Sequence, residues 1–114
     1  MGRKRLAVSA DDAMSEASLL DAVRQLARLY GWRLSHPWFS IRSEPGYPDL
    51  TLVRGTRLLF IELKRADGEL SDAQAAWIAD LERTCAEVYV WRPEVLGNGQ
   101  AIRVLGHEGV RDGT

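Results

Sequence analysis

The sequence predicts an α/β domain in which a β-sheet is sandwiched by helices, in the order α-β-β-β-α-β. Three observations predict it. Residues 16–30 carry an apolar stripe of helical period, two apolar runs flank a glycine turn between residues 50 and 63, and a second helical segment leads into the strand-like run Glu87–Trp91. At 114 residues the chain is long enough for one domain with its own core.

Each element has its own local reasons. In "SEASLLDAVRQLARLYGW", Leu19, Leu20, Val23, Leu26, Ala27 and Tyr30 form one stripe, and Asp21, Arg24, Gln25 and Arg28 form the wet face. Gly31 is placed to end that helix. "WRLSHPWFSIR" reads as a short strand broken at Pro37, and "SEPGYPD" as a turn-rich loop. "LTLV" and "RLLFIEL", separated by "RGT", read as a hairpin. "SDAQAAWIADLERT" opens with Ser71 and Gln74 at capping-box spacing, with Trp77 and Leu81 expected in the core. "EVYVW" is a strand ended by Pro93, and "AIRVLG" is expected as a last short strand. Residues 1–13 are expected to be a flexible basic arm, 14–106 the folded domain and 107–114 a disordered tail.

Composition narrows the function classes. Hydrophobic residues make up 46% and charged residues 27%, which fits a globular chain rather than a disordered one. No apolar run approaches the ~20 residues of a membrane span. The basic start lacks the apolar segment of a secretory leader. The single cysteine, Cys85, excludes an intrachain disulfide, fits a reducing compartment, and is expected as a small buried side chain. The net charge of −1 argues against coating nucleic acid electrostatically, but not against an enzyme that gathers its acids at a metal site.

The hairpin brings chemistry together. A two-residue turn at Gly55-Thr56 pairs Arg54 with Arg57, Val53 with Leu58, Thr51 with Phe60 and Asp49 with Glu62. Opposed residues share a face, and so do residues two apart on a strand, so Asp49, Glu62 and Lys64 converge at one end. Two opposed carboxylates repel unless a divalent cation lies between them, and an oxygen-rich pair suits Mg²⁺. A loop of odd length would put Asp49 on the other face, and an Arg54-Gly55 turn would shift the register by two. Lys64 is one of only two lysines in the chain.

Pro48-Asp49, twelve intervening residues and Glu62-Leu63-Lys64 resemble the PD-(D/E)XK nuclease signature. From Glu16 to Glu94 the chain resembles the VRR-NUC family, above all in Gly46-x-Pro48-Asp49, Phe60-x-Glu62-x-Lys64 and Leu70-Ser71-x-x-Gln74. The resemblance implies a restriction-endonuclease-like core, a mixed sheet flanked by helices. It also implies a Mg²⁺- or Mn²⁺-dependent DNA endonuclease similar to Holliday-junction resolvases, cytoplasmic in a bacterial or phage-infected cell. Asp49 and Glu62 would hold the metal with the Leu63 main-chain carbonyl, Lys64 would orient or activate the attacking water, Gln74 would sit beside the site and Glu16 would complete the acidic cluster. Arg42, Arg54, Arg57, Arg65 and the basic arm are candidate phosphate contacts.

Each residue also has a plainer reading. Glu62 and Lys64 could form an ordinary salt bridge, Asp49 could be a turn residue, Glu16 could serve the helix dipole and Gln74 only the capping box. His36 is isolated and reads as structural. The rival functions are a nucleic-acid-binding module without chemistry and a restriction-type endonuclease that cuts duplex DNA. Little chain is left for a target-recognition domain, which favours a reader of DNA structure such as a four-way junction. Cutting two strands across a junction favours a homodimer, for which "HPWFSI", with Trp38 and Phe39, is a candidate contact; the alternative is an inner strand of the sheet whose aromatics fill the core.

Overall fold

The structure, a computed structural model, describes residues 13–37 and 44–107. The basic arm up to residue 12, the segment 38–43 with Trp38, Phe39 and Arg42, and the tail from residue 108 lie outside the described residues. The first helix, α1 (Glu16–Leu29), is capped by Ser15, whose side chain accepts the Ser18 N–H at 3.0 Å. At its other end Trp32 N–H bonds Ala27 O and Gly31 N–H bonds Arg28 O, and Gly31 takes the φ of 82° that this ending requires. Leu19, Val23 and Ala27 are the fully buried part of its stripe.

The strands β1 (Arg33–Ser35), β2 (Leu50–Arg54), β3 (Arg57–Leu63) and β4 (Glu87–Trp91) form one sheet in that order. The first two pairings are antiparallel, and β4 lies parallel to β3. The parallel step requires a crossover, which α2 (Asp72–Glu82) supplies. The sheet is thus mixed and flanked by helices, as expected. The hairpin register runs Arg54↔Arg57, Val53↔Leu58 and Thr51↔Phe60, with Gly55 at φ 60° in the two-residue turn.

One face of the sheet carries the core. Leu50, Leu52, Leu59, Ile61, Leu63 and Trp91 pack with α1 and with α4 (Gln100–Gly106), which follows the single turn α3 (Glu94–Gly97). The expected last strand "AIRVLG" is therefore a helix. Its apolar residues recur at helical spacing, with Ala101 and Leu105 fully buried, rather than alternating. Asn98 Oδ1 accepts the Gln100 N–H at 2.9 Å, and Gly99 at φ 85° turns the chain between the two helices.

The other face is covered more thinly. No residue of α2 is fully buried, so Trp77 and Leu81 are half-buried rather than core. Trp77 meets Tyr47 edge-on at 5.0 Å, and Tyr47 meets Phe60 at 6.2 Å. Val53 and Leu58 are left exposed near the hairpin tip. Cys85, expected to be buried, is exposed in the link from α2 to β4. Gly46, at φ 87°, lets the loop before Pro48 cross the start of α2. A Cβ there would come within 2.4 Å of the Ala73 carbonyl carbon and 2.7 Å of Gln74 N.

Arg54 and Arg57, opposed across the hairpin and expected as phosphate contacts, are engaged by partners within the protein. Arg54 donates to the main-chain oxygens of Tyr30 and Leu105, both at 2.8 Å, and of His107. Arg57 holds Glu87 through two bonds of 2.7 Å and donates to Val104 O and His107 O. Both guanidiniums lie over Trp32, at 4.7 and 5.0 Å from its ring centre. The like charges thus meet the carbonyl ends of α1 and α4, where cations are favoured.

Two consequences for stability follow from these contacts. Gly46→Ala should lower stability by on the order of 2 kcal/mol, seen as a lower melting temperature with an altered near-ultraviolet signal from Tyr47 and Trp77. The hydrogen bonds from Arg57 hold the Glu87 carboxyl below its ordinary 4.5, outweighing the opposing effect of burial. The pair's contribution is therefore complete above pH 4.5 and is lost as pH falls through the lowered value. Denaturant titrations from about pH 6 to about pH 3 should show a smaller loss of stability in Glu87→Gln than in the wild type.

Candidate functional site

The site forms where β2 begins and β3 ends. Extending the hairpin register by one pair beyond Leu50↔Ile61 sets Asp49 opposite Glu62. The Asp49 carboxylate is held in place: its Oδ2 accepts the Leu63 N–H at 2.8 Å. Glu62 lies on the central strand and is only 2% exposed. Its Oε2 accepts a bond of 2.7 Å from Gln74 Nε2, and Lys64 Nζ stands 3.9 Å from the same oxygen. Lys64 is itself largely covered, with 13% of its side chain exposed.

Gln74 bonds both its helix cap and Glu62. Its Oε1 accepts the Ser71 N–H at 2.8 Å, while Ser71 Oγ accepts the Gln74 N–H at 3.1 Å, which completes a capping box. The amide nitrogen left over is the donor to Glu62. Helix capping therefore fixes the rotamer that orients the buried carboxylate.

The electrostatics around Glu62 are unfavourable to its charge. Burial raises its carboxyl pKa first, the neighbouring Asp49 charge raises it further, Lys64 opposes them, and the result is about 8. Its Oε1 is buried and accepts no hydrogen bond. Such an oxygen carries a desolvation cost that a cation would relieve. Two carboxylates alone, with oxygen donors only, match a hard divalent ion that keeps much of its water. Asp49 and Glu62 could therefore hold one.

Asp49 also borders a second space. A cleft of about 130 Å³ is lined by Glu16, Ala17, Leu20, His36, Asp49 and Leu63. Glu16, at the exposed start of α1, thus reaches Asp49's neighbourhood but does not complete a close acidic cluster. Among the described residues no three or more His, Cys, Asp or Glu side chains gather to hold a metal ion. Arg65 is 59% exposed and pairs with Asp67 at 3.4 Å, so it remains a surface residue just past Lys64. His36, isolated in the sequence, lines the cleft beside Asp49, and a histidine just before the proline that ends a strand is the signal available for it.

The family model of the VRR-NUC domain matches residues 15–93, well over half of the 114-residue chain. No curated protein and no solved structure matches the chain. No helix among the described residues is long and apolar enough to cross a membrane. The match spans the paired carboxylates, the lysine and the capped helix behind them, and the chain belongs to the VRR-NUC family, nucleases of the PD-(D/E)XK type.

Proposed function

We propose that this nuclease is a divalent-cation-dependent DNA endonuclease whose site is built on Asp49, Glu62 and Lys64, with Mg²⁺ or Mn²⁺ as the ion. The observation that carries the reading is the Glu62 carboxylate, buried with Oε1 unpaired beside a second acid. Asp49 and Glu62 would hold the ion, with the Leu63 carbonyl as a further donor. A cation there would polarise the scissile phosphate and acidify the attacking water.

The chain's own groups do the rest. The Leu63 N–H and the Gln74 amide each hold one carboxylate oxygen, so the acids need little reorganisation when charge develops. Lys64 donates from its ammonium to the attacking water or to a phosphate oxygen, and its cover of protein strengthens that interaction. Glu16 borders the cleft beside Asp49 and serves as an outer acid that orders water there. Arg65 is the phosphate contact nearest the site in sequence.

The preferred substrate is branched DNA such as a four-way junction, cut by a homodimer. The family resemblance to Holliday-junction resolvases supports this, and so does the two-fold symmetry that paired incisions across a junction call for. The candidate contact for that dimer, around Trp38 and Phe39, falls outside the described residues.

Purified protein should cut junction DNA faster than flap, single-stranded or duplex DNA with Mg²⁺ or Mn²⁺, and not at all with EDTA. Asp49→Asn, Glu62→Gln and Lys64→Ala should each lower the cleavage rate by at least 100-fold (roughly 3 kcal/mol of barrier) while the protein still folds. Because the Glu62 carboxyl is raised from 4.5 to about 8, the cation-free protein should lose stability as pH rises between those values. Glu62→Gln should remove that loss. Wild-type cleavage by Glu62→Gln, or cleavage undiminished by EDTA, would refute the assigned site.

A further inference from the structure

The ladder between β1 and β2 pairs Arg33 with Val53, Leu34 with Leu52 and Ser35 with Thr51. Continued two steps further, the same register would bring residue 37 opposite Asp49. Residue 37 is proline and has no N–H to donate. The strand ends at Ser35, and the imidazole of the next residue takes over. His36 Nδ1 lies 2.8 Å from the main-chain oxygen of Asp49. A carbonyl only accepts, so Nδ1 carries the proton in this bond.

Asp49 is thereby held at two points from two strands. Its main-chain oxygen is bonded by His36, just beyond edge strand β1, and its Oδ2 by the Leu63 N–H of central strand β3. Asp49 itself precedes the first residue of β2, so no described ladder pair fixes it directly. Its neighbour Pro48, fully buried, has no N–H that could tie the loop to the sheet. His36 is half-buried, and its ring lines the cleft together with Asp49, Glu16 and Leu63.

We propose that His36 is a positioning residue: its Nδ1–H bond to the Asp49 carbonyl holds the Asp49 main chain so that the carboxylate faces Glu62. The proposal rests on the reading of Asp49 and Glu62 as the residues that hold the cation. Outer groups that orient metal-holding side chains typically contribute a factor of about 10–100 in affinity. His36 acts here through the backbone of the ligand rather than through its carboxylate.

The test uses the full chain with two variants that separate the hydrogen bond from the ring. His36→Phe keeps a ring and removes the donor. His36→Asn loses the ring and keeps an amide donor near the place of Nδ1. Binding of Mn²⁺ alone is measured by calorimetry, and exchange of the Leu63 amide is followed without any cation. His36→Phe should bind Mn²⁺ on the order of tenfold more weakly and exchange the Leu63 amide faster, and His36→Asn should restore both. Wild-type affinity in His36→Phe, or equal weakening in both variants, overturns the proposal. Should His36→Phe fail to fold by circular dichroism, a folded His36→Asn with wild-type affinity supports the proposal, and a weakened one overturns it. A wild-type protein that takes up no Mn²⁺ overturns the reading of Asp49 as well, which distinguishes that failure from failure of the His36 role alone.

Discussion

Burying a carboxylate near the end of an inner strand of a sheet is unfavourable, and the arrangement around Glu62 answers that difficulty only in part. One oxygen is paired with Gln74, the other with nothing, and the nearest ammonium stands at 3.9 Å beside a second acid. The carboxyl consequently keeps its proton far above its ordinary range. A core residue selected for stability alone would be apolar here, as its neighbours Ile61 and Leu63 are. The cost is concentrated where the family resemblance places the chemistry, which is where local rules of folding are expected to be broken.

Several other features exist to hold that residue and its partner in register. The Gly55 turn sets the pairing that puts Asp49 opposite Glu62. A one-residue slip would send one of the two acids to the other face. The distant end of the hairpin is anchored by Arg54 and Arg57, which bond the carbonyl ends of α1 and α4 and lie over Trp32. At the near end, Gly46 lets the loop run across the start of α2, and the capping box of that helix delivers Gln74 to Glu62. Register, turn and cap are thus separate devices that converge on one carboxylate.

Much of this was legible in the residues. The hairpin register followed from one glycine and the parity of two strands, and the helix ending at Gly31 followed from a stripe that stops there. The order of the first six elements was readable because each has a period or a cap of its own. What was not legible depended on contacts between distant segments. Arg54 and Arg57 carry charge in a loop-like place, and only the tertiary fold reveals carbonyls within reach. "AIRVLG" is too short for periodicity to separate strand from helix, and the contacts of α4 with the core decide it. Cys85 sits just past a helix end, where burial depends on what covers the turn. The match to the VRR-NUC family confirms the resemblance but assigns no single residue, so the site stands on its geometry.

Because the central claim is that the unpaired Glu62 oxygen and the Asp49 carboxylate share a divalent cation, the direct measurement is a crystal of the protein grown with Mn²⁺ and examined at an energy where manganese scatters anomalously. A single strong anomalous peak between Asp49 and Glu62, within about 2.0–2.6 Å of an oxygen of each, is the predicted result. A protein that cleaves DNA under the same conditions but shows its anomalous peak elsewhere, with Glu62 Oε1 still without a partner, would contradict it.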